Sequence, residues 1–315
     1  MTRKLSLSLF VFLFMFTLVA CGSQEEDKSE GRVVTHAMGE TAIEGTPTRV
    51  VTLYQGATDV AIALGVTPVG AVESWVQKPV YEYLRDDLQG VKNVGLETQP
   101  NLEEIAKLNP DLIIASELRH SEIYDQLSEI APTVTHETVY KFKDTVELMG
   151  EAMNRQDEAD QLLTDWDNRV ADFKEKMQVK LGDSWPIEAS VLNFRADHAR
   201  IYVTGFAGDV LQELGFIRSE YQQQEADKGT VVVSLTDKEG IPSMNADVFF
   251  IFMSDDDQVK QTYNEWTNHA LWNNLDAVKA DQVYIIDEVA WNMAGGYLSA
   301  DIMLDQLYEH FKLEE

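Results

Sequence analysis

Cysteine is almost missing from this chain: Cys21 is the single one in 315 residues, so no intramolecular disulfide can brace the fold and no cysteine cluster can hold a structural zinc. Positive charge is scarce too. Lys and Arg number 25 against 54 Asp and Glu, a formal net charge of −29, and a surface so acidic excludes a phosphate backbone as partner, so nucleic acid is not expected. Catalytic signatures are missing as well. There is no G-x-S-x-G elbow, no H-E-x-x-H pair and no glycine-rich phosphate loop, which leaves a hydrolase or a nucleotide enzyme without its parts. The six histidines, His36, His120, His136, His198, His269 and His310, are scattered. None lies at a metal-binding spacing, and direct capture of zinc or manganese would require several of them to converge with carboxylates.

What the chain does have begins at its N-terminus. Arg3 and Lys4 precede an uncharged run from Leu5 to Ala20, the layout of a signal peptide over residues 1–20. The run is short for a membrane span of about 20 residues. Leu18-Val19-Ala20-Cys21 resembles a bacterial lipobox, which implies cleavage before Cys21, lipid on its thiol and anchoring by more than one acyl chain. Gly22 to Gly31 contains no apolar side chain. Residues 21–31 therefore read as an acidic, flexible tether.

Two motifs occur twice in the same order. Asp59-Val-Ala-Ile-Ala-Leu-Gly-Val66 returns as Asp209-Val-Leu-Gln-Glu-Leu-Gly-Phe216, and Glu103-Glu-Ile-Ala-Lys-Leu-Asn-Pro-Asp111 returns as Glu239-Gly-Ile-Pro-Ser-Met-Asn-Ala-Asp247. An apolar run follows each second unit. The pattern describes a duplicated lobe, and a chain of this length exceeds what one hydrophobic core usually serves.

Coarse patterning agrees. Arg49–Leu53, Pro68–Val72 and Leu112–Ala115 read as strands, with helices at Ala57–Leu64, Leu102–Leu108 and Ile123–Ile130 between and after them. From Asp144 to Leu181, Leu148, Ala152, Ala159, Leu162, Leu163, Trp166, Val170, Phe173 and Met177 keep a helical stripe. The polar Asn154-Arg-Gln-Asp157 patch predicts a break there, giving a second helix over about Asp157–Val179 that spans roughly 35 Å and joins two lobes. Beyond it, Ala189–Phe194, Val248–Phe252 and Val283–Ile286 read as strands, and Ala300 to Phe311 as a closing helix. The expected fold is α/β, with two Rossmann-like lobes, mainly parallel sheets, a long linker helix and a ligand cleft between the lobes. The expected divisions are 32–153, 154–182 and 183–315.

Candidate binding residues sit just after predicted strands, where open α/β sheets bind ligands. Tyr54, Trp75, Arg119, Arg195 and Trp291 all hold such positions. Arginine's planar fork suits an anionic, oxygen-rich ligand, and Trp and Tyr supply broad walls with polar edges. Gly295-Gly296 reads as a turn or close approach beside the ligand.

Thr48 to Asp59, Asn93 to Ser116 and Trp291-Asn-Met-Ala-Gly-Gly296 together resemble the bacterial iron-siderophore substrate-binding lipoproteins of ABC importers, of the helical-backbone, FhuD/FecB-like kind. Asn193 to Gly205 is similar to the hydroxamate or citrate-type branch, which implies that Arg195 or Arg200 and Tyr202 approach the ligand. The resemblance further implies a ferric siderophore as ligand, no catalysis and no covalent group but the lipid on Cys21. It implies a permease dimer with its ATPase as partner, Glu103 and Glu239 as its docking residues, and a monomer anchored outside the cytoplasmic membrane of a Gram-positive cell. Haem or cobalamin could use the same cleft, but arginines suit an anionic chelate better, and an exported hydrolase is the remaining alternative.

Overall fold

Short, mainly parallel strands, several of them followed by a helix, build the first half of the molecule. The computed structural model describes residues 31–314. The signal peptide, Cys21 and residues 22–30 of the tether lie outside the described residues. A hairpin of β1 (Arg32–His36) and β2 (Gly39–Ile43) comes first. Then follow β3 (Val50–Thr52), α1 (Gln55–Ala63), β4 (Gly70–Glu73), β5 (Lys92–Leu96), β6 (Gln99–Pro100), α2 (Leu102–Lys107), β7 (Leu112–Ser116), α3 (Glu117–His120), α4 (Tyr124–Ile130) and β8 (Thr133–His136). They form a six-stranded sheet of order β6-β5-β4-β3-β7-β8, parallel except where β5 and β6 pair antiparallel.

Helix α5 (Phe142–Met153) ends at Asn154, whose left-handed backbone (φ 58°) breaks the helical stripe. Helix α6 (Gln156–Leu181) then runs for 26 residues, about 39 Å at 1.5 Å per residue. Its buried face is Ala159, Trp166, Val170, Phe173 and Met177. That stripe touches both lobes: Trp166 meets Phe142 edge-on at 5.0 Å, and Phe173 meets Phe216 at 5.9 Å.

The second half contains β9 (Ala189–Phe194), β10 (Ala199–Tyr202), α7 (Gly205–Glu213), α8 (Glu220–Asp227), β11 (Val232–Leu235), β12 (Val248–Met253), α9 (Asp257–Thr267), α10 (Asp276–Lys279), β13 (Val283–Ile285) and α11 (Tyr297–His310). Its five-stranded sheet has the order β11-β10-β9-β12-β13. Here the expectation of Rossmann-like lobes with mainly parallel sheets is overturned, because both sheets are mixed. β9 pairs parallel with β12 and β12 with β13, whereas β10 runs antiparallel to both β9 and β11. The reason is local. Only residues 195–198 separate β9 from β10, and a parallel crossover needs a dozen or more residues. The two-lobed α/β plan with its linker helix stands.

The two copies of each repeated motif occupy matching places. The D-V-x-x-x-L-G units form α1 and α7 and end at Gly65 (φ 73°) and Gly215 (φ 97°), left-handed stops after each helix. At the other end of the repeat, the Asp111 carboxylate accepts from the backbone of Thr48 and Arg49, and the Asp247 carboxylate accepts from the backbone of Glu188. Each aspartate thus pins the segment that leads into the first strand of its own sheet.

Candidate functional site

Five parallel strands of the first sheet deliver their following residues to one edge. Gln55 and Gly56 follow β3, Trp75 follows β4, Glu97 follows β5, Arg119 follows β7 and Val139 follows β8. Across from them stand Tyr202 at the end of β10 and Gly205 and Phe206 at the start of α7. These residues line an interlobe cavity of about 290 Å³, closed at one side by Asn292 to Gly295.

The cavity wall carries an ion pair whose carboxylate is buried and whose arginine is partly exposed. Glu97 is 3% exposed, and its Oε1 accepts from Arg119 Nε at 3.2 Å while its Oε2 accepts from the backbone N–H of Gln55 at 3.1 Å. Burial pushes the Glu97 carboxyl up, opposed by the Gln55 hydrogen bond and the Arg119 charge. Behind it, His120 is fully buried. Its Nδ1 accepts from the Ser116 backbone, so its Nε2 carries the proton and donates to the Glu97 carbonyl at 2.8 Å. Burial lowers the His120 pKa, which agrees with this neutral tautomer. Arg119 uses only Nε in protein hydrogen bonds among the described residues, leaving both Nη groups available on a side chain that is 36% exposed. Trp75, 40% exposed, and Tyr202 supply the flat walls.

Of the residues expected at the ligand, the structure gathers Arg119, Trp75 and Tyr202. Arg195 and Arg200 lie instead in a neighbouring depression of about 400 Å³ with His198, Ser254 and Glu288. The tight β9–β10 connection explains the separation, since it turns Arg195 and Arg200 toward the hairpin tip while Tyr202, two residues along the same strand face, reaches the cavity. Met293 lines both hollows. Within the second, Arg200 Nε donates to His198 Nε2 at 2.9 Å, and His198 Nδ1 donates to Asp197 at 2.6 Å. Burial raises the Glu288 carboxyl against the opposing Arg195 charge.

Tyr54 and Trp291 do not reach either hollow, which corrects the expectation drawn from their positions after strands. Both are fully buried. Tyr54 turns into the core and its hydroxyl pairs with Thr145 at 3.2 Å. Trp291 packs on Phe250 with ring centres 4.8 Å apart, and its indole N–H donates to Gln306 at 2.7 Å. Glu97 and Gln55 were missed by sequence reasoning. The usable signal was position: Glu97 follows β5 as Arg119 follows β7.

The Gly295-Gly296 turn is a close approach, as expected. A Cβ on Gly56 would meet the Gly295 carbonyl oxygen at 2.7 Å, and one on Gly296 would meet the Asp59 carboxylate at 2.3 Å. Asp59, fully buried, accepts from the backbone of Leu298 (2.8 Å) and Ser299 (3.0 Å) and from Tyr83 Oη (2.6 Å). It therefore caps α11 from the opposite lobe. Burial lifts its pKa from 3.8 to about 6, against the hydrogen bonds from Tyr83, Leu298 and Ser299. A folded-state pKa above the unfolded one gives stability that is complete below the unfolded value and lost as pH rises through about 6. Wild-type protein should thus gain on the order of 1–3 kcal/mol relative to Asp59→Asn between pH 7 and pH 4. Urea midpoints of both proteins across that range test it, and a constant difference between them would refute the assignment.

The paired glutamates occupy equivalent settings. Glu103 lies in the first turn of α2, where Asn101 Oδ1 accepts from the Glu103 and Glu104 backbone. Glu239 lies in the first turn of a 3-10 helix, Lys238–Met244, where the Asp237 side chain accepts from the Glu239 backbone. Both are exposed. Glu103 also pairs with Lys107 at 3.1 Å.

Two lobes joined by a linker helix around a cleft have the architecture of a substrate-binding protein, and the chain belongs to that class: the family described as "Periplasmic binding protein" matches residues 50–290. It is a family of binding proteins rather than enzymes, and membership implies an ABC permease with its ATPase as partner and attachment at the membrane. Among its relatives, the achromobactin-binding periplasmic protein of Dickeya dadantii is 48% identical over 263 residues, 83% of this chain and 85% of that one. The probable siderophore-binding lipoprotein YfiY of Bacillus subtilis is 43% identical over 325 residues, covering 99% of each. The structure of Staphylococcus aureus SirA complexed with staphyloferrin B superposes with a TM-score of 0.87 at 54% identity, covering 90% of this chain and 99% of that one.

Proposed function

We propose that this protein captures an anionic ferric siderophore, of the citrate-type rather than the hydroxamate branch, and delivers it to an ABC permease for iron uptake. The observation that carries the reading is Arg119, half-exposed in the cavity wall with both Nη groups unengaged by protein among the described residues. Such a fork offers paired, charge-assisted hydrogen bonds to a carboxylate. The achromobactin-binding relative and the SirA structure complexed with staphyloferrin B support the siderophore. Iron arrives already wrapped, so the protein need supply no metal ligands. Arg195 and Arg200, next door, extend the positive lining toward any anionic arm that outgrows the first cavity. Glu103 and Glu239 dock on the two halves of a permease dimer, Cys21 carries the lipid, and the protein acts as a monomer outside the membrane of a Gram-positive cell.

Tryptophan fluorescence tests the ligand. Titration with ferric citrate chelates, ferric hydroxamates, ferric catecholates, haem and cobalamin should show the citrate class binding most tightly. Arg119→Ala should weaken that binding by on the order of ten- to a hundred-fold, as expected for loss of a charge-assisted pair. Preference for a neutral hydroxamate, or for haem or cobalamin, would overturn the assignment.

A further inference from the structure

We propose that Glu97 is a positioning residue for the ligand site: by holding the Nε edge of Arg119 it fixes the guanidinium so that both Nη groups are presented to an anionic chelate. The inference rests on the functional reading above and adds to it the residue that sets the preference for carboxylate-bearing ligands. Glu97 and Thr98 form the two-residue turn between β5 and β6. Its backbone is fixed there, because the carbonyl accepts from His120 and the neighbouring Gly95 (φ 104°) packs so closely that a Cβ would meet the Gln99 carbonyl at 2.9 Å. Both side-chain oxygens are engaged, one by Gln55 N–H at the start of α1 and one by Arg119.

The arrangement resolves an apparent contradiction. A buried carboxylate in the wall of an anion site repels the ligand unless a cation stands between them, and Arg119 is the cation that does so. A long arginine free in solvent loses rotamer freedom when a ligand captures it, and that cost is lowered when the side chain is already held. Glu97 holds it by the one nitrogen that a bidentate ligand pair on the Nη groups leaves spare. The residue thus acts through Arg119 and not by touching the ligand.

Affinities of wild type, Glu97→Ala, Glu97→Gln, Arg119→Ala, Arg119→Lys and the Glu97→Ala/Arg119→Ala double variant for ferric citrate and for a neutral ferric trihydroxamate test the proposal. Glu97→Ala should weaken ferric citrate binding on the order of ten-fold or more, with the neutral chelate much less affected. Glu97→Gln, which keeps an acceptor for Nε, should restore most of the loss. In the Arg119→Ala background, Glu97→Ala should cost little more. A further full loss in the double variant, or an equal loss for the neutral chelate, would show that Glu97 merely supports the fold and would overturn the proposal. Arg119→Lys, which keeps the charge but has neither Nε nor the fork, should lose affinity much as Arg119→Ala does. If Glu97→Ala does not fold, Glu97→Asp carries the test, since the shorter side chain keeps the charge but withdraws it from Nε: unchanged ferric citrate affinity would refute the need for orientation, and a loss absent for the neutral chelate would support it. Wild-type protein that binds none of the chelates would instead overturn the functional reading itself.

Discussion

Cells carrying Glu103→Lys together with Glu239→Lys should lose uptake of the ferric chelate, while the purified double variant should bind it as tightly as wild type. The separation is expected because neither glutamate lines the cavity and each stands exposed on the first turn of its helix. Their backbones are held by Asn101 and Asp237, which the substitutions leave in place. Reversal forfeits the favourable helix-terminus setting of each carboxylate and the exposed pairing of Glu103 with Lys107, both small effects at a solvated surface. A docking surface is more sensitive. Two glutamates carried by corresponding motifs of the two lobes suit two like-facing cationic sites on a symmetric permease, and a lysine at each place would meet repulsion where attraction is needed. Single reversals should give intermediate rates. Accumulation of radiolabelled iron in cells is the measurement, and normal uptake by the double variant would remove these residues from the interface.

The largest stability effect is expected at Trp166. Its ring is fully buried on α6 and packs edge-on against Phe142, so it lies where the linker helix meets the first lobe. Trp166→Ala should cost about 3–5 kcal/mol, the range for deleting a large buried aromatic. Its Nε1 is buried with no hydrogen-bond partner among the described residues, so Trp166→Phe, which removes that unsatisfied donor, should cost much less than Trp166→Ala. Urea unfolding with the m-value checked for two-state behaviour measures both. Similar losses for Ala and Phe would mean that the indole N–H is satisfied.

The repeated motifs were legible because each copy performs the same local task. A left-handed glycine must end α1 and α7, and an aspartate must hold the entry to each sheet, so the residue types recur wherever the backbone has the same requirement. The break at Asn154 was legible for a similar reason, since asparagine tolerates the left-handed conformation that stops α5. The antiparallel β10 was not. Its signal was the shortness of the 195–198 connection, a constraint on topology that hydrophobic alternation does not carry.

By itself, the sequence determined the alternation of strands and helices, the long apolar stripe of the linker, the repeat with Glu103 and Glu239 in equivalent places, and the lack of any intramolecular disulfide. These follow from periodicity, turn chemistry and cysteine content, which act over a few residues or over the whole composition. Tertiary structure alone decided which side chains meet. Tyr54 and Trp291 follow strands as Arg119 does, yet turn into the core. Arg195 was separated from Arg119 by a hairpin, and Glu97 was joined to it across 22 positions of sequence. Side-chain direction and strand topology depend on contacts between distant segments, and those exist only once the chain has folded.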